Sequence, residues 1–196
     1  TTEIYTLSLH DALPIYVVKC EFILGLANLM VQTLGSSELP QVHAMMAELI
    51  ENLEITKSLL RSAEVDAELD EWGVMCPVDV KLMVARQQFM NMYPRMGEIL
   101  HLLGSSSLMA LPTEEDFSGP LVDDIDRYLE TDFSSAKDRV RLFRLAWDTC
   151  CSAFGSRQIL YERFFQGDRN RNVVIMNTRY DKEPMSQFVL DFLNQE

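Results

Sequence analysis

The residue types best suited to chemistry in this chain lie together in Phe154-Gly155-Ser156-Arg157-Gln158. A glycine and a serine stand where one helical pattern gives way to another, so backbone N–H groups are expected to be open at a helix start. Arg157 stands beside them as a cation. That set suits an anion such as a phosphate, because helix N-terminal N–H groups and a guanidinium both donate to its oxygens. The competing reading of the same five residues is a plain helix break with a solvated arginine.

Other candidates have structural readings. Arg139, Arg141 and Arg144, with Arg157 and Arg163, form the densest basic stretch. A solvated face with i,i+4 pairs such as Arg144–Asp148 accounts for it. Glu64, Asp66, Glu68, Asp70 and Glu71 form an acidic run without a second ligand set, read as a solvated helix end. His101 sits beside an apolar stripe, as a core or rim histidine does. Ser105-Ser106-Ser107 has no base at a readable spacing, which leaves serine catalysis unsupported. The cysteines are Cys20, Cys76, Cys150 and Cys151, and no two have Cys-x-x-Cys spacing, so no metal site is expected. Cys150 and Cys151 are adjacent and cannot easily bridge each other. All four read as small core residues in a reducing compartment, which implies a cytoplasmic protein. The eleven methionines read as adaptable core filling.

The elements that must position these residues are helices. Val17, Cys20, Leu24, Ala27, Val31 and Leu34 recur at helical spacing and end at Gly35. Val42, Met46, Leu49, Leu53, Thr56, Leu60, Ala63 and Ala67 follow the same rule, with Pro40 near the start. A third face holds Leu82, Ala85, Phe89, Met92, Met96, Ile99 and Leu103, with Pro94 inside it and Gly104 as the expected C-cap. A fourth begins at a capping-box-like Ser135–Asp138 and shows Val140, Phe143, Trp147, Cys150, Cys151 and Phe154. Four such faces predict an all-α, up-and-down four-helix bundle.

The third and fourth helices are joined by a long insertion, Ser105 to Ser134, with a short helix expected over Leu121–Glu130. After Gly155 come a short helix to about Phe165, a turn at Gly167-Asp168 and two short C-terminal helices, the last starting at Asp181–Pro184. No strand, P-loop or repeat is evident. Phe22, Ile23, Phe164, Phe165, Phe188 and Phe192 are left over from the bundle faces and predict a second packing surface, for oligomerisation or a further domain.

Composition narrows the partners. Among 196 residues, 47% are hydrophobic, enough for a globular core, and the net charge is −13. That charge argues against nucleic acid and anionic membranes. The most apolar run, Phe22 to Leu34, falls short of the roughly 18 residues a bilayer span needs.

Residues 1–15 show no helical or strand period and resemble the in-frame translation of a common DNA-sequencing adapter. They are expected to be a non-native assembly artefact, with the natural part at 16–196.

Four motifs carry a family resemblance: Leu108-Met-Ala-Leu-Pro-Thr-Glu114, Leu142-Phe-Arg-Leu-Ala-Trp-Asp-Thr149, Phe154-Gly-Ser-Arg-Gln-Ile-Leu-Tyr-Glu-Arg-Phe-Phe165 and Tyr180-Asp-Lys-Glu-Pro184. Residues 16–196 resemble the C-terminal region of the oxygenase component of 4-hydroxyphenylacetate 3-monooxygenase. The resemblance implies an acyl-CoA-dehydrogenase-like fold, of which this chain holds the C-terminal bundle and lacks the N-terminal and β-barrel domains. It implies a two-component, flavin-dependent enzyme that hydroxylates a phenol ortho to its hydroxyl with O2. A separate reductase would supply reduced FAD, and the bundles would assemble a homotetramer. It implies FAD contacts at Phe154, Gly155, Ser156, Arg157 and Gln158, with no catalytic residue in this fragment. The substrate-contacting residues of the family lie upstream, so the fragment alone is expected to be inactive. Other readings stay open: a chlorophenol hydroxylase, a relative of 4-hydroxybutyryl-CoA dehydratase, or a non-enzymatic helical interaction module.

Overall fold

The computed structural model describes residues 2–194, with side chains from residue 13 onward. Helix α1 (Thr2–Thr33) packs on α2 (Pro40–Val65) and α3 (Asp79–Gly104), and α5 (Ala136–Cys150) closes the bundle against α1 and α3. The order is therefore the expected one, with a single shared core. Phe89, Phe143, Leu49, Leu82, Met96 and Ile99 lie fully buried at its centre. Each comes from a stripe at helical spacing, and burying such a side chain contributes roughly 1.5–3 kcal/mol.

Helix α1 departs from expectation in three ways. It runs from Thr2 without interruption across the segment that shows no period in the sequence, and Leu13 is fully buried. The side chains of residues 2–12 lie outside the described residues. Its buried surface is also wider than one stripe. Tyr16, Ile23, Leu26 and Met30 join Cys20, Ala27 and Val31, so Ile23 belongs to the core and not to a leftover surface. Finally, Leu13–Thr33 has the length and mean hydropathy, 1.5, to span a bilayer, because the apolar stretch extends well before Phe22. In the bundle 39% of its apolar window is buried, and α2, α3 and α5 pack against it.

The insertion is built as the sequence suggests, with α4 (Val122–Leu129) packed on α5. Two arginines expected on a solvated face hold it in place. Arg144 donates to the Pro112 carbonyl at 3.0 Å through Nε rather than pairing with Asp148. Arg139 donates to the Leu129 carbonyl at 3.1 Å and to Ser107 Oγ at 3.2 Å.

The acidic run begins at a helix end as expected, with Asp66 as the C-cap of α2, and continues into a small antiparallel hairpin, β1 (Glu68–Leu69) with β2 (Met75–Cys76). Its turn explains one of those carboxylates. Asp70 accepts from the backbone N–H groups of Trp72 and Val74 at 2.9 and 2.8 Å. Beyond α5 come α6 (Ala153–Phe164), α7 (Arg169–Arg179) and α8 (Glu183–Leu193). Helix α6 packs on α3 and α5, and α7 on α3.

Candidate functional site

The joint between α5 and α6 falls earlier than the glycine suggests. Helix α5 stops at Cys150, and Ser152 caps α6 by accepting the Gly155 N–H at 3.2 Å. The Ser156 N–H donates to the Ser152 carbonyl at 2.9 Å. The backbone N–H groups of Gly155 and Ser156 are thus already engaged, and the expected open cradle at these two positions is absent. The physical reason is that serine is a strong N-cap whereas glycine here lies inside the helix. Gly155 serves a different need. A Cβ on it would stand 2.7 Å from the Thr149 carbonyl oxygen, so only glycine lets α6 fold back this tightly on α5.

What the joint builds is a groove of about 640 Å³ between α1, α5 and α6. Phe154, Arg157 and Gln158 line it, whereas Gly155 and Ser156 do not. Phe22, Ile23, Leu145 and Phe154 give it apolar walls, and Lys19, Asp148, Thr149 and Tyr161 add polar groups. Phe22 and Phe154 are both about half exposed.

The two cations of the groove are not equivalent. Lys19 forms an ion pair with Glu162, whose side chain is 1% exposed. The same carboxylate accepts from Gln158 Nε2 at 2.9 Å. Glu162 thereby ties α1 to α6 and fixes the Gln158 amide, and a buried carboxylate demands such partners. The Lys19 ammonium also lies 5.6 Å from the centre of the Tyr161 ring and 5.8 Å from that of Tyr93. Burial pushes the Tyr93 hydroxyl up to about 12. Arg157 is exposed, and no ion pair joins it to another described residue. It is therefore the groove cation with its charge to spare for a bound anion.

Sequence reasoning missed Lys19 and Glu162. They lie far apart in the chain, and although Glu162 falls within the Phe154–Phe165 motif, nothing in the sequence links it to Lys19. An acidic residue one turn after Gln158, on the face that also presents Tyr161, was the available signal.

The family model described as 4-hydroxyphenylacetate 3-hydroxylase C terminal matches residues 1–194. The chain belongs to that family. A probable 4-hydroxyphenylacetate 3-monooxygenase of Bacillus subtilis (strain 168) is 37% identical over the whole chain, which spans 40% of that relative. The 4-hydroxyphenylacetate 3-monooxygenase oxygenase component of Geobacillus sp. (strain PA-9) is 42% identical over 94% of the chain and 37% of its own length. The chain thus spans about two fifths of the curated relatives it matches.

The solved oxygenase component of 4-hydroxyphenylacetate 3-monooxygenase complexed with FAD superposes with a TM-score of 0.92 at 38% identity, covering 95% of this chain and 40% of that one. An archaeal 4-hydroxybutyryl-CoA dehydratase superposes at 0.83 with 12% identity, covering 98% of this chain and 39% of that one, which shows a shared fold alone. The 4-hydroxyphenylacetate 3-hydroxylase C-terminal fold is therefore this helical bundle with its short trailing helices.

A flavin dinucleotide needs flat apolar walls and at least one cation for its pyrophosphate. The groove has the walls in Phe22, Leu145 and Phe154 and the cation in Arg157, so the residues present fit such a group.

Proposed function

We propose that this chain is the C-terminal part of a reduced-FAD-dependent monooxygenase that converts 4-hydroxyphenylacetate, or a similar phenol, to a catechol. One observation carries the reading: the 38% identity, with a TM-score of 0.92, to an oxygenase component whose structure holds FAD. Reduced FAD, delivered by a separate reductase, would supply the two electrons with which O2 gives one oxygen atom to the phenol and the other to water.

The residues of this chain would bind and orient. Phe154, Gly155, Ser156, Arg157 and Gln158 form the proposed cofactor segment. Arg157 would donate to the pyrophosphate, and Phe154 would offer an apolar wall, both lining the groove. Gln158 presents an amide whose position Glu162 sets. Gly155 and Ser156 act through the shape of the joint. The protein would work in the cytoplasm as a homotetramer. The exposed phenylalanines Phe164, Phe165, Phe188 and Phe192 are surfaces suited to copy-to-copy contacts.

The test is direct. The full-length oxygenase containing this region should hydroxylate 4-hydroxyphenylacetate when a reductase supplies reduced FAD, and the 196-residue chain alone should not. Hydroxylation by the short chain, or none by the full-length protein on a panel of phenols, would refute the reading. Sequencing the genomic locus tests the proposed adapter origin of residues 1–15: a native locus that encodes them would refute it.

A further inference from the structure

Behind the α5–α6 joint, on the α3 side, three metal-ligating side chains converge from sequence positions that no metal motif would connect. We propose that His101, Cys150 and Cys151 form a site for one soft divalent cation of the Zn2+ class, with a fourth position open to solvent. The ligand atoms of all three lie within 4.8 Å of one another. The two sulfurs stand 3.7 Å apart. A tetrahedral ion with Zn–S bonds of about 2.3 Å requires an S···S edge of about 3.8 Å. The pair is therefore already spaced as an edge of the coordination polyhedron.

The histidine is held in place by the backbone. Its Nε2 lies 3.0 Å from the Cys150 carbonyl. In the tautomer that donates through Nε2 the lone pair is on Nδ1, and a carbonyl in that role is the usual outer support of a metal-bound imidazole.

Access and chemistry agree. His101 is exposed, Cys151 half-buried and Cys150 buried, so an ion enters past the imidazole and is closed off behind by the core. Two thiolates and one imidazole select a borderline-soft ion over Mg2+ or Ca2+, which prefer oxygen. Two cysteine ligands with one histidine, plus an open position, is a donor set that zinc accepts. Loading balances as one cation bound and two thiol protons released to solvent. The site shares no residue with the lining of the Arg157 groove and does not depend on the flavin reading.

The experiment titrates the reduced, metal-free chain with Co2+, then with Zn2+. One equivalent of Co2+ should produce thiolate-to-cobalt charge-transfer absorption and the intense visible bands of a tetrahedral ion, and Zn2+ should bleach both. Cys151→Ser should abolish the charge-transfer band. His101→Ala should weaken binding by about tenfold or more. Both positions reach solvent, so these variants should keep the wild-type circular dichroism, which avoids relying on the buried Cys150. A weak, six-coordinate cobalt spectrum that is the same in wild type and Cys151→Ser would overturn the proposal. So would stoichiometric binding that neither variant changes.

Discussion

The bundle helices and the two last helices carry apolar side chains of the same kinds, yet they meet water differently. Helix α3 buries Leu82, Phe89, Met96 and Ile99 almost completely, whereas α7 and α8 bury no residue among those described. Phe188 in α8 is 75% exposed. Helix α8 forms for local reasons. Asp181 Oδ1 accepts the Glu183 N–H at 3.0 Å, and Pro184 sits in the first turn. The contrast separates two roles that one apolar pattern can play. In α3 it holds the fold together. In α8 it leaves an exposed apolar surface, which the proposed assembly would cover.

The largest expected effect sets these regions against each other. Phe143→Ala, at a fully buried position, should destabilise the chain by about 3–5 kcal/mol in a denaturant melt. Phe188→Ala should change it by less than about 0.5 kcal/mol. A comparable loss at Phe188 would mean that α8 is docked on its own bundle. Next comes the joint. Gly155→Ala places a methyl group 2.7 Å from a carbonyl oxygen and should cost about 1–3 kcal/mol, with the strain local to the groove. Smaller still, Ser152→Ala removes the α6 cap and should cost about 1 kcal/mol.

The last effect is absent at neutral pH. Burial pushes the Cys20 thiol up to about 11 and the Tyr93 hydroxyl up to about 12, against ordinary values of 9.0 and 10.0. Folding therefore favours the protonated forms. The stability this represents is whole below about 9 and is lost as pH rises through 11 and then 12. Thermal melts should show the bundle weakening over that window, and Tyr93→Phe should flatten its upper part. A melting temperature that does not fall would contradict the burial of these groups.

The bundle was legible because its signals are local and periodic. The third helix shows every expected face residue buried, and the Ser135 cap binds the Asp138 N–H as predicted. Periodicity failed where a helix is buried on more than one side, as α1 is. Turn residues misled in a definite way. Gly104 was expected as the C-cap of α3, but it is the last helical residue, and Ser105 is the C-cap with a positive φ of 45°. Gly104 is needed because Leu108 packs where its Cβ would be, 2.5 Å away. The site was legible as a segment, not as a mechanism. The five residues around Arg157 stood out by type, but the serine that consumes the backbone donors lies just before them. The Lys19–Glu162 pair and the His101–Cys150–Cys151 cluster exist only after α1, α3, α5 and α6 pack.

The central claim is that Arg157 is the unpaired cation of a flavin groove. FAD titration of the full-length oxygenase, wild type against Arg157→Ala, tests it most directly. Losing one charged hydrogen-bonding partner is worth about 1.5–3 kcal/mol, which predicts a dissociation constant raised by about tenfold to a hundredfold. Arg163→Ala, outside the groove lining, should leave affinity unchanged. Equal affinity in wild type and Arg157→Ala would contradict the account.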